Sequence, residues 1–482
     1  MKQLKNKKLK TLLGLLFACS ASSAWAVDSA RVVLSVGDTD LGLGVHSPDM
    51  KVDGDGRIHV VWMQETQFTD SVPTTYTNFN VMYKLLDYQA NVLMDTTQIS
   101  DSVADGNNHQ GHPSIAVDAN NNAYVSWFSS DTEDGFLVGV DPSKAPLDGT
   151  ASTLATIQKF APVGVADCKR SDLAIGSNGN VHMACSTGSS EVQMAVYGPD
   201  GSEVTAPYVV SNSTIYDSYG ISRVHLALDS NNRGTIVYMQ DYDDSIAYSL
   251  VDGVAGTTLT AHTVLTATNG YHPSVSMSGD MVYFTYMNAD YDEVAGPELI
   301  VGSFTPSNDD MSGDAASLAT IGYSDSAAVS GIAPLGWYMS SQLGADDEFM
   351  VTYNTGGGNG IAPRFFAKID KTGVITTAET ALDTDVDNSG YETYANYVAI
   401  AQQDTNLLAY TTDEDPASVI LARADGTSFI TAVDPNPPAP PAPEPEPEAP
   451  ASSDDNGIFG LSLWALLGVT GLVGLLRARR RK

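Results

Sequence analysis

From residue 27 to residue 433, apolar and polar positions alternate in runs of four to eight residues, and clusters of Gly, Asn, Asp and Ser separate the runs. Period-two alternation rich in β-branched and aromatic residues predicts strands, and little of this region carries a helical period. The pattern also repeats on a longer scale. Gly111-His112-Pro113-Ser114-Ile115-Ala116-Val117-Asp118 leads through Asn120-Asn121 to Ala123-Tyr124-Val125-Ser126-Trp127. His46-Ser47-Pro48-Asp49 to Asp53, a Gly54-Asp55-Gly56 turn and Ile58 to Trp62 have the same form, as do Tyr271-His272-Pro273 to Met277, Ser278-Gly279-Asp280 and Val282 to Tyr286.

Further strand–turn–strand units begin at Arg170, Val224, Trp337 and Tyr397, so seven can be counted, about 50 to 65 residues apart. Units of that length with room for two more strands each predict an all-β β-propeller of seven four-stranded blades, with six or eight as alternatives. An open β-solenoid would need much shorter repeats. Arg31 to Val36 is a spare strand ahead of the first unit, and in a closed propeller it would complete the last blade and remove an exposed edge.

The two ends carry other signals. Lys2, Lys5, Lys7, Lys8 and Lys10 precede a short apolar stretch, Thr11 to Ala18, and Ala24-Trp25-Ala26. This is the pattern of a signal peptide over residues 1–26, cleaved after Ala26. Lipid attachment at Cys19, after Leu16-Phe17-Ala18, is the competing reading. At the other end, residues 434–457 form a linker dominated by Pro, Glu and Ala, which reads as an extended spacer. Residues 458–476 are an uncharged apolar run near the length of a transmembrane helix, and residues 477–482 are a basic tail expected on the cytoplasmic side.

Charge narrows the partners. The chain has 24 Lys and Arg against 58 Asp and Glu, a net charge of −34, and five basic residues in each terminus leave 14 for everything between. Nucleic acid is excluded as a partner, because phosphate binding needs a clustered positive surface. Cys168 and Cys185, the cysteines of the mature chain, can form a disulfide across the third unit in an exported protein.

If the first two strands of each unit form a hairpin, one face gathers the loops entering first strands and those leaving second strands. His46, His112, Arg170, Arg223 and His272 belong to that face and are the candidate ligand-binding residues. Because His-Pro recurs with the repeat, the competing reading is that it only starts a strand, with Pro where no ladder donor is needed. The acidic loops Asp241-Tyr242-Asp243-Asp244 and Asp290-Tyr291-Asp292-Glu293 are the candidate calcium site, since Ca²⁺ takes several hard oxygens; solvated turns are the alternative.

The last 30 or so residues resemble the GlyGly-CTERM-type sorting signals of secreted bacterial proteins, on Ser452-Ser453, Gly457 and Gly460, the small-residue-rich span and the Arg-rich end. Here a single Gly457 follows Asp454-Asp455-Asn456, where that family shows consecutive glycines. The resemblance implies cleavage near Gly457 by a rhombosortase-class membrane protease and display on the outer membrane surface. A plain inner-membrane anchor, with the body in the periplasm, is the alternative.

The body resembles sialidase-like repeats in its strand pairs that end on aromatic residues, but it lacks their Ser-x-Asp-x-Gly-x-x-Trp boxes and an Arg-Ile-Pro motif. No nucleophile elbow, His-Glu-x-x-His or Walker A loop is present either. The expectation is therefore a non-catalytic propeller that binds an envelope or extracellular protein or a glycan. A glycosidase or lyase of sialidase-like architecture is the alternative.

Overall fold

A computed structural model describes residues between 31 and 429, apart from intervening segments of which 212–223, 322–338 and 384–397 are the longest. The terminal features expected from the sequence (the signal peptide with Ala26, the linker with Gly457, the apolar run and the basic tail) lie outside the described residues. The chain divides into a unit over residues 1–431 and a second over 432–482.

The first unit is a seven-bladed β-propeller in which every blade is a four-stranded antiparallel sheet. Chain order begins with β1 (Arg31–Val36). Blade 1 is β2 (Val45–Val52), β3 (Ile58–Thr69), β4 (Thr75–Leu86) and β5 (Val92–Gln98). Blade 2 is β6 (Gln110–Val117), β7 (Ala123–Ser129), β8 (Asp134–Val140) and β9 (Gln158–Val165), and blade 3 is β10 (Cys168–Ile175), β11 (Val181–Thr187), β12 (Val192–Tyr197) and β13 (Glu203–Ser211). Blade 4 comprises β14 (Val224–Leu228), β15 (Arg233–Gln240), β16 (Ser245–Asp252) and β17 (Thr257–Thr266). Blade 5 comprises β18 (Gly270–Ser278), β19 (Met281–Asn288), β20 (Glu298–Phe304) and β21 (Ala316–Ile321). Blade 6 has β22 (Met339–Leu343), β23 (Glu348–Asn354), β24 (Arg364–Asp370) and β25 (Ile375–Asp383). Blade 7 has β26 (Val398–Ala401), β27 (Asp404–Thr411) and β28 (Ser418–Arg423), and its outermost strand is β1, so the order runs β26-β27-β28-β1. Both ends of the propeller thus share one sheet, with Val33 opposite Ile420.

The turn inside each blade explains why Asp, Asn and Gly recur there. In blade 1 the Gly56 N–H donates to the Asp53 carbonyl, the Asp53 N–H donates to the Arg57 carbonyl, and Gly56 sits at φ +78°. Asn121, Gly179 and Asn232 occupy the same left-handed position in blades 2, 3 and 4, at φ 67°, 80° and 63°. This is the three-residue hairpin loop, a type I turn closed by one left-handed residue, and Gly and Asn tolerate that conformation best. Asp53, Asp118 and Asp229 lock their turns by accepting two backbone N–H bonds each, for example from Asp55 and Arg57 to Asp53 Oδ1.

The core is divided into seven wedges, one between each pair of adjacent blades. Val61, Tyr83, Val125 and Trp127 fill the wedge between blades 1 and 2. Leu137, Leu173 and Met183 fill the next, with Ala184, Met194, Ile236 and Tyr238 between blades 3 and 4. Further clusters join blades 4 and 5, 5 and 6, and 6 and 7. Leu34 of β1 enters the wedge that joins blade 7 to blade 1, beside Trp62, Leu407 and Leu421. Middle strands are buried on both faces, which is why β11 is buried at every position, whereas the outermost β13 is exposed or half-buried until its last two residues. Cys168 and Cys185 form a disulfide, with Cα atoms 5.4 Å apart, that ties β10 to β11.

Removing Arg31–Val36 should leave β28 as an unpaired edge and take Leu34 out of the closing wedge. The shortened protein is expected to melt at lower temperature and to self-associate with concentration in light scattering. A monomer with unchanged melting temperature would contradict this account of closure.

Candidate functional site

The innermost strand of every blade faces the central axis, and together these seven strands enclose a cavity of about 290 Å³. Along β2, alternation puts Asp49 and Lys51 on the cavity side, four and two residues before the turn aspartate Asp53. The residues four before the turn in the next blades are Ser114, Asp172, His225 and Ser274, and all of them line the cavity. His112 and Arg170 line it as well, with serines and Gln342 and Gln403 making up much of the polar surface.

Both carboxylates of this lining are used to join blades. Asp49 Oδ1 accepts the Met50 N–H at 2.7 Å, and its Oδ2 accepts the N–H of Ile115 in blade 2 at 2.9 Å. Asp172 repeats the device two interfaces further on. Its Oδ1 accepts the Leu173 N–H and the Ser114 hydroxyl, both at 2.9 Å, and its Oδ2 accepts the Leu226 N–H of blade 4 at 2.8 Å, with His225 Nδ1 3.7 Å away. Other blades use neutral groups for the same purpose: Ser276 Oγ accepts the Leu343 N–H, and Gln403 Oε1 accepts the Val52 N–H across the closing interface, both at 3.2 Å. Burial pushes the Asp49 carboxyl above the usual carboxylate range; the Asp172 charge adds to this, while Lys51 and the two N–H bonds oppose it.

The candidate residues from the sequence fall in different places. His112 and Arg170 line the cavity. His46 turns away from the axis to Glu65 on β3, with Nε2 3.4 Å from the carboxylate and its ring 5.9 Å from that of Phe79. His272 is buried and is not part of the cavity wall. Arg223, and the calcium candidates Asp241, Asp243, Asp244, Asp290, Asp292 and Glu293, lie outside the described residues. Among the described residues, no group of three or more His, Cys, Asp or Glu is placed to hold a metal ion.

His-Pro does more than start a strand. Ser47, His112 and His272, each just before a proline, have φ of 48°, 53° and 51°. Strand pairing slips between His46 and Asp49, between Gly111 and Ser114, and between Tyr271 and Ser274. The proline therefore sits in a β-bulge inside the strand, where its missing N–H breaks no ladder bond. Asp49, Lys51, Asp172 and His225 escaped the sequence reading. The signal that would have found them is their fixed offset from the turn, combined with period-two alternation.

In blades 1 to 4 a second polar position lies six residues after the start of the turn and is buried. In blade 1 it is His59: Nε2 is 3.0 Å from Asp53 Oδ2 and Nδ1 is 2.7 Å from the Tyr83 hydroxyl. Burial would raise the Asp53 carboxyl, but hydrogen bonds from His59 and Arg57 outweigh it and hold it at about 2. Burial also lowers the His59 imidazole, with Asp53 opposing, so the neutral ring receives the Tyr83 O–H on Nδ1 and donates Nε2–H to Asp53. Tyr124 takes this position in blade 2 and donates to Asp118 at 3.0 Å. His182 takes it in blade 3, where Gly176 replaces the aspartate and Met194 stands in register where blade 1 has Tyr83. Neither ring nitrogen of His182 has a hydrogen-bond partner among the described residues, and burial drives its pKa down to about 4.

No protein-family model matches the chain, and no curated protein matches it. Among solved structures, hydrazine synthase of Kuenenia stuttgartiensis is similar, with TM-score 0.47 and 10% identity over 80% of this chain and 97% of that one. The Cps50 (Swd1) β-propeller domain of Myceliophteria thermophila has TM-score 0.46 and 7% identity over 81% and 99%. The NanB sialidase of Streptococcus pneumoniae has TM-score 0.38 and 10% identity over 80% and 69%. Similarity at this level carries no argument about ligand or reaction.

Asp172→Ala should strip acceptors from the Leu226 N–H and the Ser114 hydroxyl and cost about 2–3 kcal/mol in urea unfolding; a change below about 0.5 kcal/mol would show that the stitch is not needed.

His182 gives a pH prediction. Its folded pKa is depressed below the ordinary 6.5, so the neutral ring is favoured in the fold. That contribution is complete above pH 6.5 and is lost as pH falls toward about 4. The loss should reach about 3 kcal/mol. His182→Leu should remove this part of the acid sensitivity and leave stability at pH 7 equal or higher. Equal acid sensitivity in variant and parent would refute the assignment.

Proposed function

We propose that this protein is an exported, non-catalytic β-propeller that binds a glycan or an envelope or extracellular protein at its central cavity. The observation that carries this reading is the state of the cavity carboxylates. Most glycosidases present two carboxyl groups to the scissile bond, roughly 5–10 Å apart. Asp49 and Asp172 are instead tied to backbone N–H groups of their own and the next inner strand. Freeing either one for proton transfer would break the joint between two blades. What remains for a ligand is a rigid polar wall holding Lys51, His112, Arg170 and His225, which suits recognition more than bond cleavage.

The export part of the reading rests on the signal-peptide pattern of residues 1–26 and on the Cys168–Cys185 disulfide, a bond that persists in oxidising compartments. In this reading residues 434–457 form a stalk, and residues 458–476 hold the protein in the membrane until a sorting protease cuts near Gly457. Calcium at the Asp241–Asp244 and Asp290–Glu293 loops belongs to the same proposal and would raise the melting temperature on addition of Ca²⁺.

Two measurements decide the main points. Purified protein incubated with a panel of glycans should retain some of them without turnover. Cleavage that disappears in His112→Ala would replace the binding reading with the enzyme one. Mass spectrometry of the mature protein should find a C-terminus near Gly457, and an intact Arg481-Lys482 end would eliminate the sorting step.

A further inference from the structure

We infer that the outer edge of blade 4, strand β17, is where two copies of this chain pair about a two-fold axis, joining their fourth blades into one antiparallel sheet. The outermost strand of each blade has a ladder partner on one side only. Its other edge presents N–H and C=O groups that a further strand can take up, and natural sheets block such edges with charge, proline or shortness. Here β5 carries Asp95, β9 carries Lys159 and Pro162, and β13 carries Glu203 and Pro207. Likewise β25 carries Glu379 and Asp383, and β1 carries Arg31. The uncharged β21 has only six residues. By contrast β17 has ten, the most of the seven outer strands, with no charged side chain, proline or glycine among them. Its one titratable group, His262, turns inward with Nδ1 3.0 Å from the buried Tyr238 hydroxyl, and burial lowers its pKa, so the strand is uncharged at neutral pH.

Apolar surface gathers around the same edge. Leu259 and Val264 of β17, Val254 in the turn before it, and Val204 and Val209 of β13 are five of the ten large apolar side chains exposed among the described residues. Strands β13 and β17 touch across the junction of blades 3 and 4, so these side chains flank one edge and are not scattered around the rim. The pairing of β17 with β16 slips in register, but so does that of β13 with β12 and of β25 with β24. Charge and proline are therefore what set β17 apart.

The occupant follows from charge. The chain carries 58 acidic residues against 24 basic ones, so two copies repel wherever their carboxylates come together. An edge without charge is where they approach at least cost. A two-fold axis sets β17 antiparallel to itself, so one strand supplies both halves of the contact and brings no carboxylate of its own against another. A cationic partner gains nothing from such a strand and is drawn to the acidic remainder of the surface. Ten residues at about 3.4 Å each make an edge ~34 Å long, and a band three strand spacings wide adds a breadth of ~15 Å. Such a band buries about 500 Å² per copy, about 1,000 Å² in total, which is the lower bound of a specific interface. The dimer is therefore weak and concentration-dependent.

The test is sedimentation velocity of the mature protein from micromolar to submillimolar concentration, which should show a monomer passing to a dimer and no further. Its dissociation constant should fall at least about threefold between about 0.05 and 0.3 M salt, because screening removes the repulsion between copies. Leu259→Glu combined with Val264→Glu sets like charges across the shared edge and should weaken the dimer at least about tenfold. Val33→Glu combined with Val374→Glu adds the same charge at exposed positions elsewhere, and should leave it within about twofold at about 0.3 M salt. Both variants should melt with the parent. Hydrogen exchange of residues 257–266 in the parent should slow as concentration rises, while that of 375–383 stays constant; this readout decides the matter if a variant fails to fold. A monomer at every concentration overturns the inference. So does a dimer that survives Leu259→Glu with Val264→Glu, which places the contact elsewhere, or one that weakens equally in both variants, which makes net charge the cause. Species that keep growing with concentration overturn the two-fold arrangement.

Discussion

A ring of wedge-shaped sheets holds only if every wedge is filled, and the constraint is hardest at the interface where the chain must meet itself. Six of the seven interfaces join blades that follow each other in sequence, so their loop-closure cost is modest. The seventh joins residues 351 positions apart, where Gln403 accepts the N–H of Val52, and the blade 7 sheet itself pairs Val33 with Ile420. Placing β1 on the outside of blade 7 makes this interface equivalent to the others. The sheet then cannot leave without breaking a ladder at its rim and a wedge at its side. Tyr88 and Phe429 add to the same seam by holding the Arg423 guanidinium between their rings, each centroid 4.6 Å from it.

Closure also dictates the character of the axis. Seven inner strands arranged around a ring cannot touch across its centre, so their inward side chains face a cavity and cannot be packed as core. Polar residues are tolerated there, and the chain uses them to stitch neighbouring inner strands together. An inner strand has a ladder partner on one side only, and its other edge would leave N–H groups such as those of Ile115 and Leu226 without acceptors. Asp49 and Asp172 meet that need from the preceding blade. The same carboxylates that attract attention as chemistry are thereby explained as architecture.

The repeat made the architecture legible because hairpin turns have narrow chemistry. Asp, Asn and Gly mark turns whose φ values demand them, and alternation between those marks gives the strands. Blade number, the spare first strand and the disulfide all follow from counting such units and from Cys168 and Cys185. The site was less legible. His112, Arg170 and His46 share a sequence context, yet His46 points to Glu65 while His112 and Arg170 face the axis. His46 stands one residue further from its proline than His112 does, so Ser47 takes the place of His112, and period-two alternation turns the His46 side chain the other way. Ser114 and His225 give no hint of the offset they share with Asp49 and Asp172, because one geometric role is filled there by three different chemistries.

The position six residues past each turn shows why such variation is tolerated. Blade 1 fills it with His59 and its partners Asp53 and Tyr83, and blade 2 with Tyr124 and Asp118, whereas blade 3 keeps His182 and has lost both partners. Gly176 and Gly253 press against that ring so closely that a Cβ on either would lie 2.9 Å from Nε2 or 2.3 Å from Cε1. The ring is thus kept by shape after its hydrogen bonds are gone. A net hydrogen bond is worth about 1 kcal/mol, while burying a large side chain in a wedge is worth about 2 kcal/mol. Repeats held together chiefly by apolar wedges can therefore lose polar partners one blade at a time without losing the fold. The inner strands are under the same rule, so the part played by Asp49 and Asp172 passes to Ser276 and Gln403 elsewhere in the ring.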